Sequence, residues 1–440
     1  MPAATSRLRC CHHRVMNKWR GRFVLLIAAL GMVAAAPPVS GAAERPCNGS
    51  VELCGRTLDQ VVLPGTHNSM NAVEPNPNGA NWLLPNQLYS IPNQLERGAR
   101  VFLIDTYYGE RQPNGSVVAM SKSAGEAAGA ETFMCHALCQ LGFVGLSGEL
   151  GRIKDYLEAN PRQVVVFVNE DYIAPQDFAK AVDESGLLPY VYQGPATQYP
   201  TLGEMINTNQ RVVMLAQSDT GTVPWYHLGY DGPMMETPYE FDDPAELTDP
   251  AQLEASCAPN RGSEGSPFFL MNHWVLNNNV PEQPSAEVVN TQPAIVDRAR
   301  ACEQRRGKLP NLLAVDFYGI GDAAGAAREL NGVTAGPYLE LTAPKAATVK
   351  SKRKATYRIP LSNFGDLEAS GILVCAKVPA ALARKPKCVS VGAVATNGSA
   401  TAKVSVTTRK RYRKGSGRVK FSVYSNQATL STSAKLTVKP

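Results

Sequence analysis

Val-Leu-Pro-Gly-Thr-His-Asn-Ser (62–69) and Gly-Ala-Arg-Val-Phe-Leu-Ile-Asp-Thr-Tyr-Tyr (98–108) carry the strongest fold signal in this chain. Each holds an apolar run that leads to a residue with acid–base chemistry, His67 in the first and Asp105 in the second. Uninterrupted apolar runs are typical of strands that are buried on both faces, as in parallel sheets. Both stretches therefore predict strands of a parallel sheet that end on polar side chains.

Similar apolar runs alternate with helical patterns over residues 44–335. Leu150, Ile153 and Leu157 share one helical face and predict a helix over Leu146–Ala159 that stops at Asn160-Pro161. The other predicted helices are Pro175–Ser185, Val289–Arg306 and Asp322–Leu330. The predicted strands are Gln60–Leu63, Val101–Asp105, Val164–Asn169, Arg211–Leu215, Phe268–His273 and Leu312–Phe317. This alternation over about 290 residues predicts an α/β fold, a (β/α)8 TIM-type barrel.

Polar residues at or just after these runs mark the candidate site, because functional residues of such barrels cluster at the C-terminal ends of the strands. The residues so placed are His67, Asp105, Glu170, His273 and Asp316. A further histidine, His136, lies in Met-Cys-His-Ala-Leu-Cys (134–139). Two histidines and a carboxylate suit phosphodiester cleavage, because one imidazole can take a proton from the attacking hydroxyl while the other protonates the leaving oxygen. A cation or an arginine must then neutralise the phosphate.

These segments resemble the X-box half of phosphatidylinositol-specific phospholipase C and the wider phospholipase-C-like phosphodiesterase family. The resemblance extends to Val-Phe-Val-Asn-Glu-Asp-Tyr (166–172) and covers about residues 44–335. It implies that His67 is the general base acting on the inositol 2-hydroxyl and that His136 protonates the departing diacylglycerol oxygen. Weaker likeness to secreted members of the wider family lies in the stretches 201–206, 225–227, 236–241, 272–274 and 314–318.

The resemblance also implies a Ca²⁺ site made by Asn68, Asp105 and Glu170. Asn169 is the alternative to Glu170 as the last ligand. Metal-free bacterial relatives carry arginine at the position of Asp105, so the likeness is to the metal-dependent branch. One departure weakens this expectation. Leu103 stands where family members carry another carboxylate, and Ca²⁺ requires six to eight oxygen ligands.

Three of the candidate residues could have a structural role and not a catalytic one. Asp316 either orients His67, as the carboxylate of a catalytic triad does, or is a buried, hydrogen-bonded residue at a strand end. His273 either faces the pocket or has a structural role beside Trp274. His227 is expected to be structural.

An abrupt change of charge predicts a domain boundary. Residues 44–339 carry 18 Lys and Arg against 35 Asp and Glu, whereas residues 340–440 carry 20 against 3. The change lies near the turn-forming Asn-Gly-Val-Thr-Ala-Gly-Pro at 331–337. We therefore assign 44–335 to the barrel and 336–440 to a second, basic domain.

The second domain shows the two-residue period of half-buried strands. Alternating apolar positions lie at Ala402–Val406, Val419–Val423 and Leu436–Val438, which predicts a small all-β sandwich of immunoglobulin type. Its basic segment Arg409–Lys414 is either a solvated hairpin tip or a contact with an anionic surface, such as wall polymer or acidic lipid.

The first 43 residues have the features of a secretory signal peptide. Six basic residues precede the apolar run Phe23–Ala36, and Ser40–Ala43 supplies small residues for cleavage. The eight remaining cysteines form an even set, as expected of disulfides in an exported chain. Their clustering favours Cys47–Cys54, Cys135–Cys139, Cys257–Cys302 and Cys375–Cys388, although the sequence alone does not fix the pairing. A metal site of Cys135, His136 and Cys139 is the alternative.

The sequence thus predicts a secreted, monomeric phosphodiesterase, in part associated with the cell surface. We expect a phospholipid or another phosphodiester at a membrane surface as the substrate, and no nucleic-acid partner. Two alternatives remain: a glycerophosphodiester or wall polymer as the substrate of the same barrel, or a non-catalytic cell-surface binding protein. The His-Arg-Gly and Glu-Asn pattern of glycerophosphodiesterases is absent from the sequence.

Overall fold

Eight strands build the sheet that carries the candidate site. The computed structural model describes residues 45–76, 79–80, 82–410, 414–426 and 429–440, so the predicted signal peptide lies outside the described residues. The eight strands are β1 (Leu63–Thr66), β2 (Val101–Arg111), β3 (Val165–Tyr172), β4 (Val212–Ala216), β5 (Tyr226–Leu228), β6 (Met234–Glu236), β7 (Phe268–His273) and β8 (Leu312–Val315).

All neighbouring pairs among these strands are parallel. The order β6-β7-β8-β1-β2-β3-β4-β5 is continuous, and among the described residues no ladder joins β5 to β6. The result is a mixed α/β fold consistent with the predicted TIM-type barrel. Four short strands extend the same sheet to twelve strands: Gly79–Ala80, Val117–Met120, Glu131–Met134 and Phe143–Gly145. Leu276–Asn277 and Val280–Pro281 form a separate two-stranded sheet.

Helices lie between the barrel strands and after the last of them. They are α1 (Ile91–Glu96), α2 (Lys122–Ala128), α3 (Leu146–Ala159), α4 (Pro175–Glu184), α5 (Leu202–Asn207), α6 (Ala245–Thr248), α7 (Gln283–Val289), α8 (Gln292–Arg306) and α9 (Ala323–Asn331). The predicted bounds of α3 are confirmed. The prediction of one helix over Val289–Arg306 is wrong, because Thr291 caps a new helix by accepting a hydrogen bond from the Ala294 amide. None of the described helices is both long and apolar enough to cross a bilayer.

Several predicted strand boundaries are wrong for reasons of tertiary pairing. The strand β3 runs to Tyr172, beyond its predicted end at Asn169, because it pairs with β2 along this length. The first strand begins at Leu63, not Gln60, and continues through Pro64-Gly65 because it pairs with β8 and β2. Gly65 is required there, since a Cβ would lie 2.4 Å from the Val101 Cβ. The strand β2 extends to Arg111 because residues 106–109 pair with the antiparallel strand Glu131–Met134 and residues 108–111 pair with the antiparallel strand Val117–Met120. Asp105 therefore lies within a strand and does not end one.

The basic C-terminal segment forms two sheets around one apolar core. Its strands are β9 (Leu339–Leu341), β10 (Ala347–Lys350), β11 (Lys354–Asn363), β12 (Ala369–Lys377), β13 (Val389–Val394), β14 (Ser399–Thr407), β15 (Gly415–Tyr424) and β16 (Thr429–Lys439). One sheet has the order β9-β11-β14 and the other β10-β16-β15-β12-β13. Buried side chains such as Ile359, Val404 and Phe421 fill the space between the sheets. The immunoglobulin-type topology stays a prediction, as does the boundary at residue 335, since Glu44–Pro440 forms one compact unit.

Four disulfides join the eight cysteines of the described chain. The pairs are Cys47–Cys54, Cys135–Cys139, Cys257–Cys302 and Cys375–Cys388, so the favoured pairing is confirmed. The alternative of a metal site at Cys135 and Cys139 is wrong, because both thiols are consumed in one bond.

Candidate functional site

The two-residue period of the barrel strands decides which polar side chains enter the barrel. Val101 and Val166 pack in the barrel interior, whereas Phe102 and Phe167 pack between the sheet and the helices. Because successive side chains of a strand alternate in direction, Asp105 and Glu170 belong to the interior set. Asn169 belongs to the outer set, and its amide donates a hydrogen bond to the Tyr226 hydroxyl at 2.7 Å. Asn169 therefore does not face the cavity and cannot replace Glu170 as the cation ligand.

A cavity of about 540 Å³ opens at the C-terminal ends of the strands. It brings together His67, Asp105, His136 and Glu170 from four separate segments of the chain. Its other polar wall residues are Asn86, Tyr172, Gln217, Tyr230, Glu236, Tyr239, Glu240, Arg261, Asn272 and Asn279. Its apolar wall includes Leu103, Val168 and Trp274. A cavity at this end of a parallel barrel is the expected position of an active site.

The ring of His67 is held on two sides. Its Nδ1 lies 3.0 Å from the Asp316 Oδ1, and its face stacks on Trp274 with ring centroids 3.8 Å apart. Asp316 also accepts hydrogen bonds from the Asn86 Nδ2, at 3.2 Å to Oδ1 and 3.1 Å to Oδ2. A carboxylate at Nδ1 places the proton of a neutral imidazole on Nδ1 and leaves Nε2 free to accept one. The structure thus brings Asp316 to the position that an orienting carboxylate requires.

His136 lies in the loop that follows the strand Glu131–Met134 and is bounded by the Cys135–Cys139 disulfide. Burial in the cavity wall, followed by the charge of His67, lowers the pKa of His136 to about 4, while Asp316 acts in the opposite direction. The residue as a whole remains exposed, so water offsets part of this desolvation. His67 and His136 line the same cavity, so both face the space that a ligand would occupy.

Two carboxylates lie side by side in the cavity. Asp105 and Glu170 are directly paired positions of β2 and β3. Burial, followed by the negative charge of Glu170, raises the pKa of Asp105 well above its usual value. The Tyr172 hydroxyl donates to Glu170 at 3.1 Å, and Tyr172 stacks on Tyr107. Paired carboxylates in a buried setting favour a bound cation, which would offset their repulsion.

The third predicted cation ligand, Asn68, does not line this cavity. It follows His67 in a left-handed conformation, with φ of 44°, and its side chain is buried. Its Nδ2 has no hydrogen-bond partner in the described part of the chain, so the amide group is unsatisfied where it lies. Across the described residues, no cluster of three or more His, Cys, Asp or Glu side chains could hold a metal ion. The structure therefore brings together two of the three predicted ligands.

Arg261 is a site residue that the sequence analysis missed. Among the described residues that line the cavity, it carries the one permanent positive charge. Its Nε donates to the Glu236 Oε1 at 2.6 Å, its Nη1 to the Gln217 Oε1 at 2.9 Å and its Nη2 to the Tyr230 hydroxyl at 3.0 Å. Arg261 lies in a loop outside any apolar run, so no periodic pattern marked it. Glu236 ends an apolar strand and could have been found by the same rule as Asp316.

The two other histidines of the described residues, His227 and His273, lie outside the cavity wall. His273 belongs to the outer set of β7 and is fully buried. Its Nε2 donates to the Val289 carbonyl at 2.8 Å, and its Nδ1 accepts from the Arg298 Nη1 at 3.1 Å. Burial and then the charge of Arg298 lower its pKa to about 3, so it is neutral and structural. His227 does not line the described cavity, and its structural role stays a prediction.

The family model described as PI-PLC X 1 matches residues 53–331. The matched segment contains all eight barrel strands and every residue of the cavity described above. This chain belongs to the PI-PLC X family.

Two relatives come from Arthroderma benhamiae. An uncharacterized secreted protein is 27% identical over 315 residues, which span 66% of this chain and 65% of the relative. A PI-PLC X domain-containing protein is 28% identical over 334 residues, which span 72% of this chain and 97% of that protein. The chain thus spans just under two thirds of the first relative. A crystal structure of phosphatidylinositol-specific phospholipase C from Staphylococcus aureus is 15% identical, covers 64% of this chain and 94% of that one, and has a TM-score of 0.43.

Proposed function

We propose that this protein is a secreted phosphodiesterase of phospholipase C type that cleaves the glycerol–phosphate bond of phosphatidylinositol-like lipids. The observation that carries the proposal is the pair of histidines on one cavity, with Asp316 3.0 Å behind His67. Secretion is supported by the signal-peptide features of residues 1–43 and by the secreted relative.

His67 is the proposed general base. Asp316 and Trp274 fix the plane of its ring, and Asp316 holds the proton on Nδ1, so that Nε2 can accept the proton of the inositol 2-hydroxyl. The hydroxyl oxygen then forms a bond to phosphorus. A positioned base of this kind contributes about 10²–10⁴ to the rate.

His136 is the proposed general acid. As the bond between phosphorus and the glycerol oxygen breaks, His136 gives its proton to that oxygen, and diacylglycerol leaves as a neutral alcohol. The phosphate remains as a cyclic diester of the head group. A lowered pKa makes the imidazolium a stronger acid, and the approach of a phosphate anion favours its protonated form.

Asp105 and Glu170 are the residues that we propose to hold Ca²⁺. They fit a hard cation, because carboxylate oxygens are the ligand type that Ca²⁺ requires. A bound cation would also offset the repulsion between the two neighbouring carboxylates. A bound Ca²⁺ would neutralise negative charge on the phosphate. With Leu103 in place of a further carboxylate and Asn68 outside the cavity wall, we expect weak binding, about 10⁻⁴–10⁻³ M.

Phosphorus NMR of the products of phosphatidylinositol tests the proposal. We expect a cyclic phosphodiester signal to appear with the wild-type protein and to be absent with His67→Ala. His227→Gln is the matched control, because it replaces a histidine outside the cavity wall. Formation of phosphatidic acid, or equal turnover by His67→Ala, would contradict the assignment. A second series with a chelator separates the proposal for the cation from the proposal for the histidines.

A further inference from the structure

The two-sheet domain is attached to the end of the barrel that lies opposite the cavity. Phe364, Asp366 and Asn397 of this domain share a crevice with Leu63 and Arg100, which lie at the N-terminal ends of β1 and β2. Ion pairs join the same regions, with Arg45 Nε 2.5 Å from the Glu340 Oε2 and Arg328 Nη1 3.7 Å from the Asp366 Oδ2. The cavity with His67 and His136 opens at the C-terminal ends of the strands, away from this junction.

The strand directions then define a distal end of the two-sheet domain. The strands β12, β14 and β16 run away from the barrel, and β11, β13 and β15 run back towards it. The distal end, as defined here, consists of residues 350–354, 377–389, 407–410, 414–420 and 435–439. These segments contain no Asp or Glu, and the acidic residues of the domain (Glu340, Asp366 and Glu368) all lie towards the barrel.

Six cations of the distal end form one basic face. The register of the five-stranded sheet places Arg418 opposite Lys435, Lys377 opposite Lys420 and Lys350 opposite Lys439. All six are exposed and point outward, because the alternate residues Val419, Phe421 and Leu436 are buried. Like charges directly opposite each other on neighbouring strands destabilise a sheet. Three such pairs on one face are unfavourable for folding and indicate a binding function.

We propose that this basic face binds a flexible linear polyanion that carries repeated phosphate groups, and so anchors the enzyme with its cavity directed away from the anchor. This inference goes beyond the proposed catalytic function. The face offers Ser433 and Thr437 hydroxyls between the cations, and hydroxyls together with Lys and Arg are the usual contacts to phosphate oxygens. Counterion release on neutralising the phosphates supplies the affinity.

A polymer fits better than the bilayer that would carry the substrate. The basic face and the cavity belong to opposite ends of the protein, so a flat membrane does not contact both at once. The large exposed apolar residues of the described two-sheet domain are Leu367, Leu373 and Tyr424, and none of them belongs to the distal end. Membrane-surface elements usually bury apolar side chains beside their cations, which this end does not offer.

Binding of the mature, full-length protein to long-chain inorganic polyphosphate at increasing salt tests this inference. The test variant is Lys420→Gln with Lys435→Gln, and the matched control is Lys154→Gln with Lys180→Gln on α3 and α4 of the barrel. Both variants lose the same net charge. We expect the test variant to bind more weakly and to reduce the slope of log K against log salt by about 1.4, since each lost contact to a single strand is worth about 0.7.

The melting temperature of the test variant shows whether weaker binding comes from the basic face itself or from a loss of folding. Because Lys420 and Lys435 each lie opposite another cation, the test variant should melt at the same or a higher temperature than wild type. An equal loss of binding in the test and control variants would show that net charge alone acts, and would overturn the inference. Tighter binding of the wild type to phosphatidylserine vesicles, or to duplex DNA, than to polyphosphate would overturn the choice of partner. Both variants should keep wild-type turnover on lipid monomers, because none of the replaced lysines lines the cavity.

Discussion

Replacing Asp316 with asparagine tests whether this carboxylate sets the proton position on His67. In the wild type, both Asp316 oxygens accept hydrogen bonds from the Asn86 Nδ2, at 3.2 and 3.1 Å, and Oδ1 also faces the His67 Nδ1. An asparagine has one oxygen, which Asn86 would retain. Its NH₂ group would then face His67 and donate to Nδ1. The imidazole proton would move to Nε2, the atom that must accept the proton of the substrate.

The magnitude follows from that change of tautomer. A catalytic histidine held in the wrong tautomer loses about 10⁴ in kcat, as the carboxylate-to-amide change in a serine protease triad illustrates. At about 1.36 kcal/mol for each factor of ten, the loss for Asp316→Asn corresponds to roughly 5 kcal/mol of transition-state stabilisation. The side chains are nearly equal in size, so we expect the folded structure to survive.

Initial rates on phosphatidylinositol, with circular dichroism to verify folding, measure this effect. Asp322→Asn is the control, because it removes an exposed carboxylate at the start of α9, where asparagine is an equally good helix cap. We expect the control to retain wild-type kcat. If folded Asp316→Asn turns over within about threefold of wild type, Asp316 is a buried structural residue and does not orient the base.

Three further predictions concern the histidine pair, the cation and the core. His67→Ala and His136→Ala should each lower kcat by about 10²–10⁴, and the double variant should lose far less than the product of the two, as rate measurements would show. Asp105→Asn should raise the Ca²⁺ concentration needed for activity. In the wild type, calorimetric Ca²⁺ affinity should rise with pH, because the cation must displace the proton that the raised pKa of Asp105 retains. Arg298→Met should reduce the free energy of unfolding by about 3 kcal/mol in urea titrations, whereas the exposed Arg300→Met should change it by less than about 0.5 kcal/mol.

Much of the fold could be predicted from the spacing of apolar residues. This spacing is clearest in helices and strands that bury the same face along their whole length. The helix Leu146–Ala159 and the strand Phe268–His273 have the predicted bounds. The errors arise where long-range pairing overrides local preference. Pro64-Gly65 has turn chemistry in isolation, yet both residues lie in β1, because β8 pairs with them along one side and β2 with Gly65 along the other.

The ends of the apolar runs predicted most of the site residues, but they did not distinguish residues that face the cavity from residues that face outward. The predicted positions His67, Asp105 and Glu170 line one cavity and Asp316 lies 3.0 Å from His67, although Asp105 and Glu170 lie within longer strands than predicted. The same rule also selected His273, which points outward. The two-residue period separates these cases, since Asn272 faces the cavity and its neighbour does not. Arg261 could not be found in this way, because a loop position has no period.

The charge of the cavity makes the source of phosphate neutralisation a testable choice. Asp105, Glu170, Glu236 and Glu240 line the described cavity, and Arg261 is already paired with Glu236 at 2.6 Å. A phosphate diester entering this cavity therefore requires added positive charge. If Asp105 and Glu170 bind Ca²⁺, EDTA should abolish turnover and Ca²⁺ should restore it. If turnover survives EDTA unchanged, Arg261 released from Glu236 is the one permanent cation of the described cavity wall that can neutralise the phosphate, and Arg261→Gln should then lower kcat more than Asp105→Asn does.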